Sequence, residues 1–194
     1  VVAAVVAAVV AAVVAAVVAA VVAAVVAAVV AAVVAAVVAA VVAAVVAAQC
    51  MESPAYARRA LGRGVRQDIF AEGGAILRAP RRYRRLVGWV GHAVLAVAIV
   101  LLYSTFFAAV GNDHLAWWGL FTGAVHAALG GVVVGAWSDL HPDIPGRLAP
   151  PGVFYRHYGH RDVITFCVGH LVFGAVAGTV YAAAHPALSL DAAL

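Results

Sequence analysis

The sequence contains no lysine and few charged residues of either sign. Only 10% of its 194 residues are charged, and all of the positive charge comes from 12 arginines. Hydrophobic residues make up 67% of the chain, against about half in ordinary soluble domains. This composition excludes an ordinary soluble domain and predicts an integral membrane protein.

The sequence also lacks the motifs of common catalytic sites. It contains no recognisable Ser/His/Asp triad, P-loop, nucleotide-binding glycine pattern or CxxC pair. The two cysteines are Cys50 and Cys167, and because Cys167 falls within an apolar stretch we expect them to be unpaired. These absences favour a non-enzymatic protein, while the question of an enzyme stays open.

Residues 1–48 repeat the tetrapeptide VVAA without deviation. A period of four drifts by about 40° per repeat on a helix of 3.6 residues per turn, so the valines form no fixed face and specify no partner surface. One unbroken helix here would be about 72 Å long, more than twice a membrane span. We expect a low-complexity apolar helix without a specific function, and we hypothesise that the natural product starts at Met51.

Residues 49–85 form a basic juxtamembrane segment that holds nine of the arginines. Leu61, Val65 and Ile69 recur at helical spacing and predict a weakly amphipathic helix on the membrane surface, broken by Gly62 and Gly64. Four arginines between residues 81 and 85 immediately precede an apolar stretch. Arginines in that position favour contact with anionic lipid head groups, and we expect no nucleic-acid partner.

Three later stretches are apolar and long enough to cross the hydrocarbon core of a bilayer. Asp162 precedes the third stretch and is predicted to cap its N-terminus. The predicted fold is all-α, a transmembrane helical bundle of three spans plus the long Val/Ala helix. The spans are 86–110, 115–137 and 163–184 of a membrane domain at 86–184, and a tail follows at 185–194.

The distribution of arginine predicts an orientation. Every arginine lies either in residues 51–85 or in residues 138–162. Positively charged loops stay in the cytoplasm, so we expect both segments to be cytoplasmic in a multi-pass protein of an inner membrane. The expected partner is the lipid bilayer.

The second span carries a small residue at every fourth position, which lets another helix backbone approach closely. The third span carries matching glycines, and the first span has small residues starting with Gly88. We expect a compact bundle that can also form a homo-oligomer or join a larger membrane complex. The helix-packing residues are Gly119, Gly123, Ala127, Gly131, Gly135, Gly174 and Gly178.

Each span contains one histidine: His92, His126 and His170. His92 and His170 lie six or seven residues from the arginine-rich ends of their spans, and His126 lies deeper. Since a histidine within a membrane needs a partner, our leading interpretation is hydrogen bonding across the bundle to Ser104, Thr122, Thr165 or a backbone carbonyl, without a cofactor. The alternatives are haem b or a transition metal on His92 and His170, with His126 as a third ligand or proton carrier, and a proton relay. Glycine-mediated close packing argues against the wide gap that haem requires.

The loop at 138–162 contains the side chains of a divalent metal site, but not at a recognised ligand spacing. Its prolines and aromatic residues favour a simpler interpretation, in which the loop lies in the head-group region. The weak metal candidates are Asp139, His141, Asp143, His157 and His160.

The motifs GAVHAALGG, DLHPDIPG followed by APPGVF, and GHLVFGAVAGTVYA carry a resemblance. Over Leu115 to Ala184 the chain resembles small multi-pass membrane proteins of unknown function from bacteria of the actinobacterial type. The resemblance implies a bacterial inner-membrane protein and supplies no catalytic residues. The leading functional expectation is a non-enzymatic packing or assembly component. The alternatives are a haem- or metal-binding redox subunit and a proton-coupled transporter.

Overall fold

The computed structural model describes residues 2–62, 64–111 and 113–184, and these residues form helices and no strands. The expected all-α fold is therefore confirmed, while the tail at 185–194 lies outside the described residues. Two 3-10 turns, Arg81–Tyr83 and Val153–Tyr158, precede the third and fifth α-helices. The α-helices are α1 (Val2–Ala60), α2 (Ile69–Ile76), α3 (Arg84–Val110), α4 (Leu115–Leu140) and α5 (His160–Ala184).

Four of these helices are long and apolar enough to cross a membrane. The three later spans fall where the apolar stretches predict them, within a few residues at each end. Gly111 ends α3 in the left-handed conformation, with φ 93°, and its N–H donates to the carbonyl oxygen of Phe107. The apolar helices are consistent with a multi-pass membrane bundle.

Helix α5 lies at the centre of the bundle, where it packs against α1 on one side and α4 on the other. Helix α3 packs against α1 and carries the short α2 on its surface. Although a short turn joins α3 to α4, their backbones approach each other at few positions, and near the turn the helices meet through side chains such as Phe106, which packs against Trp118. The chain therefore folds with a gap between two helices that are consecutive in sequence.

The last three of the twelve VVAA repeats pack into the core, so the expectation that the repeat specifies no partner surface is wrong there. The helical drift across these three repeats is only about 80°, which keeps the alanines on the side that faces α3 and α5. Alanine also lets the helix axes approach closely. Earlier in the repeat, valines such as Val9 and Val34 are more than half exposed. The buried alanines, each at most 1% exposed, are Ala39, Ala40, Ala43, Ala44, Ala47 and Ala48.

The chain between α1 and α2 is not helical where it is described, so the predicted amphipathic helix through Leu61 and Val65 is wrong. Gly62, with φ 65°, follows the end of α1 and favours a left-handed termination. The predicted cap at Asp162 is also wrong, because α5 already begins at His160. The Asp162 carboxylate instead accepts the N–H groups of Arg66 and Gln67, each at 2.8 Å.

The basic segment and the 138–162 loop meet at one end of the bundle. The Arg66 guanidinium lies 4.8 Å from the ring centre of Tyr158. Arg84 forms an ion pair with Asp143, and the Arg84 guanidinium holds the pKa of that carboxyl below its usual range. Two segments that are distant in sequence therefore form one polar end.

Candidate functional site

Glycines bring the backbones of α4 and α5 into direct contact. A Cβ atom added at Gly119 would collide with the carbonyl oxygen of Gly174, and one added at Gly174 would collide with that of Gly119. At Gly123 the added atom would lie 2.5 Å from the carbonyl oxygen of His170. At Gly178 it would collide with the carbonyl oxygen of Leu115. The row of small residues on α4 therefore packs on α5 in its N-terminal half, at Gly119 and Gly123.

The other half of this row has a different neighbour. Added Cβ atoms at Gly131 and Gly135 would meet Phe154 and Val153 of the 3-10 turn. Ala127 is buried between the two halves, at 6% exposure. On α3, a Cβ atom at Gly88 would meet the backbone of α2, so the expectation that this small residue faces the other spans is wrong.

A cavity of about 360 Å³ occupies the space between α3 and α4. Helix α5 forms its back wall, and Glu52 of α1 and Gln67 line its polar end. Leu95, Leu129 and Val133 also line it, and these three side chains are 56%, 65% and 54% exposed on the outer surface of the bundle. The cavity therefore opens on the apolar side surface of the bundle.

All three intramembrane histidines line this cavity. The rings of His126 and His170 are in edge-to-face contact, with centres 4.7 Å apart. The His92 ring instead packs edge-on against Phe70, with centres 5.5 Å apart. The sequence pairs His92 with His170 by depth, whereas the structure brings His170 into ring contact with His126.

The ring nitrogens of the three histidines differ in whether they have a hydrogen-bond partner. His170 Nδ1 lies 2.8 Å from the carbonyl oxygen of Phe166, and since a carbonyl only accepts, Nδ1 donates. The Nε2 atom of a neutral His170 ring is then an acceptor. In the part of the chain that the structure describes, His92 Nε2 and His126 Nδ1 are buried and have no hydrogen-bond partner. Buried polar atoms of this kind indicate an additional group or water in the site.

The expected hydroxyl partners bond elsewhere. Ser104, Thr122 and Thr165 donate to the carbonyl oxygens of Leu101, Gly119 and Arg161 in their own helices. The expectation that these hydroxyls bond the histidines across the bundle is therefore wrong. The cross-bundle bond comes instead from the Tyr103 hydroxyl, which donates to the carbonyl oxygen of Thr122 at 3.0 Å.

The structure separates the metal candidates of the 138–162 loop. Asp143 is ion-paired with Arg84, and its N–H donates to His141 Nδ1 at 3.1 Å. His157 Nδ1 lies near the carbonyl oxygen of Pro150, while Asp139 and His160 are exposed. Within residues 2–62, 64–111 and 113–184, no group of three or more His, Cys, Asp or Glu side chains is placed to hold a metal ion.

A buried carboxyl network lies beside the polar end of the cavity, and sequence reasoning missed it. The Tyr155 hydroxyl, on a residue only 1% exposed, donates to Glu72 Oε2 at 2.6 Å. The Asp68 N–H donates to Glu72 Oε1 at 3.0 Å. Burial raises the pKa of Glu72 above its ordinary value and raises that of Tyr155 well above its own. The signal in the sequence was one acidic residue within the otherwise apolar IFAEGGAI.

Comparison with protein families, with curated proteins and with solved structures gives no match to this chain. The resemblance to small bacterial membrane proteins stays an expectation from sequence motifs. A function is therefore argued from the cavity and its histidines.

Proposed function

We propose that the protein is a non-enzymatic component of a bacterial inner membrane that binds a small lipophilic molecule between α3 and α4. This develops the sequence-based expectation of a packing or assembly component into a binding one. The observation that carries it is the 360 Å³ cavity with two unpartnered imidazole nitrogens. Ligand pockets combine this kind of apolar lining with a few convergent polar groups, and their volumes start at about 300 Å³.

The position of the mouth supports a ligand that arrives through the bilayer. Leu95 and Leu129 stand at the surface where acyl chains would contact the bundle, and they also line the cavity. A molecule dissolved in the bilayer would enter between them without crossing the polar end. On the side opposite the mouth, the close packing of α4 on α5 closes the cavity.

The chemistry of the lining supports binding without catalysis. The hydroxyl groups of the described residues that line the cavity, on Thr165 and Tyr155, are already engaged in hydrogen bonds. The Thr165 hydroxyl donates to the carbonyl oxygen of Arg161, and the Tyr155 hydroxyl donates to Glu72 Oε2.

The meeting of residues 51–85 with residues 138–162 supports an orientation. Contacts such as Arg84 with Asp143 and Arg66 with Tyr158 join these two arginine-bearing segments at one end. By the positive-inside rule we assign this end to the cytoplasm. The mouth of the cavity then lies within the membrane, and its polar end lies toward the cytoplasm.

Native mass spectrometry of the purified protein tests the binding function. The wild type is expected to retain a small lipophilic molecule from the membrane. In Leu129→Trp, an indole at the mouth fills the entrance, and we expect at least a tenfold lower occupancy. The matched control is Leu102→Trp, because Leu102 is also 65% exposed and does not line the cavity.

The control is expected to retain the wild-type occupancy. Equal occupancy in all three proteins, or an equal loss in both variants, would show that no molecule depends on this cavity. Far-UV circular dichroism before the measurement verifies that both variants keep the helical fold.

A further inference from the structure

We infer that the molecule held in the cavity is a neutral lipid whose head is a single oxygen-bearing ring, as in alkylated hydroquinones, with an alkyl tail that leaves through the mouth. This inference rests on the proposed binding function and adds the chemistry of the ligand. Its basis is the combination of cavity size, the positions of the imidazole nitrogens and the charge of the lining.

The size of the cavity limits the head to one ring. A dry cavity of about 150 Å³ is sufficient to hold a benzene molecule. A volume of about 360 Å³ therefore holds a substituted ring and the first carbons of a tail. A porphyrin is far larger, and the direct contact between His126 and His170 leaves no space for its plane between these two rings.

The aromatic lining favours a flat head over a branched one. Phe166, Phe173 and Trp137 all line the cavity. Their rings present faces and edges against which another ring packs in offset or edge-to-face geometry. Leu129 and Val133 at the mouth match an alkyl chain instead.

The imidazoles favour hydrogen-bonding atoms, such as oxygens, on that ring. His92 Nε2 and His126 Nδ1 are each buried without a partner among the described residues. His92 belongs to α3 and His126 to α4, so a head with two oxygens can bridge the walls of the cavity. The acceptor at Nε2 of a neutral His170 favours a ligand that can donate a hydrogen bond, which a hydroxyl group provides and a hydrocarbon does not.

The charge of the lining favours a neutral head. The described residues that line the cavity include one carboxyl group, Glu52, and no arginine. An anionic head would lie near Glu52 with no lining guanidinium to pair with it. A cationic head would lose its water in a lining of mostly apolar side chains, with one carboxyl group to pair with it. A neutral ring with hydroxyl groups avoids both costs.

Equilibrium binding to the full-length protein in nanodiscs tests this inference with four probes whose alkyl tails have nine or ten carbons. The probes are decylhydroquinone, decylbenzene, decanoate and decylamine. We expect decylhydroquinone to bind about tenfold more tightly than decylbenzene, which is the ratio that one or two buried hydrogen bonds provide. Decanoate and decylamine should bind more weakly than decylhydroquinone.

Histidine variants test which groups recognise the head. His92→Phe and His126→Phe keep a ring of similar shape, and each should reduce the preference for decylhydroquinone over decylbenzene at least threefold. His92→Gln and His126→Gln keep a hydrogen-bonding group and should restore part of it. His160→Phe, an exposed position outside the cavity, is the control and should have no effect.

The outcomes separate this inference from the binding function on which it rests. If decylbenzene and decylhydroquinone bind equally and the phenylalanine variants change nothing, the cavity binds apolar molecules but our assignment of the head is wrong. Tighter binding of decanoate or decylamine would also overturn it. If none of the four probes binds, the proposed binding function itself fails.

Discussion

At the scale of single residues, buried carboxyl groups hold the polar end of the bundle together. Asp162 is 1% exposed and accepts two backbone N–H groups from the chain that precedes α2. Glu72 accepts the Tyr155 hydroxyl and the Asp68 N–H. Each carboxyl group therefore joins segments that are distant in sequence, and the protonation state of Glu72 affects the stability of that end.

The first prediction concerns Glu72 and pH. Burial raises its pKa in the folded protein, and the charges of Asp68 and Asp162 act in the same direction. As pH rises above the ordinary value of 4.5, the unfolded chain loses this proton while the folded protein keeps it. The free energy of unfolding should therefore fall, by at most about 1.4 kcal/mol per pH unit, until the folded pKa is passed.

The measurement compares the wild type with Glu72→Gln by denaturant titration in micelles between pH 4 and 8. The wild-type stability relative to the variant should decrease as pH rises. The reference variant is necessary because burial lowers the pKa of His141, which gives the opposite slope in both proteins. Parallel pH profiles would contradict the assignment of a raised pKa to Glu72.

At the scale of the elements, α2 is a short helix whose position depends on one of two adjacent glycines. A Cβ atom at Gly74 would collide with the backbone of Arg84, whereas one at Gly73 would lie 3.8 Å from the Cα atom of Gly88, an ordinary contact. Asp68 caps the helix by accepting the N–H of Ala71. The two glycines differ in their surroundings, although the sequence gives them the same appearance.

We predict opposite effects for alanine at these two positions. Gly74→Ala should lower the free energy of unfolding by about 1–3 kcal/mol, because the backbones of α2 and α3 must separate. Gly73→Ala should be neutral or raise it by up to about 1 kcal/mol, because alanine favours the helix. Denaturant titration, monitored by circular dichroism, measures the free energy of unfolding of both variants. Equal losses in the two variants would show that α2 does not pack as described.

These elements also show how far the sequence predicts the fold. Apolar runs bounded by glycine, arginine and proline are sufficient to predict the three later spans, because a bilayer demands length and hydrophobicity. The contact of Gly119 with Gly174 follows the row of small residues that the sequence predicts. The burial of Ala47 could not be derived, since every VVAA repeat is identical and only the tertiary fold selects which repeats contact α5.

The site was predictable only in part, because the sequence does not show which residues of different helices meet in the tertiary fold. The sequence identifies His92, His126 and His170 as the polar groups within the spans. Their depth along each helix does not reveal which rings meet, because that depends on rotation and on the gap between α3 and α4. Glu72 and Tyr155 are 83 residues apart and meet through tertiary packing alone.

At the scale of the whole molecule, the bundle combines a close-packed part with an open one. Helices α1, α4 and α5 approach through alanine and glycine, while α3 is held by α1 and α2 on the far side of the cavity. The gap between α3 and α4 is therefore a consequence of where α3 is anchored. We expect a lateral opening of this kind to give lipophilic molecules access to the histidines.

Photolabelling in a bilayer tests this account most directly. The purified protein is reconstituted with an alkylbenzene that carries a carbene-generating diazirine, irradiated, digested and analysed by mass spectrometry. We predict labels on residues that line the cavity, including His126 and Phe173, and we predict that excess decylbenzene removes them. Labels confined to outward-facing residues such as Val94 and Leu102, with no competition by decylbenzene, would contradict it.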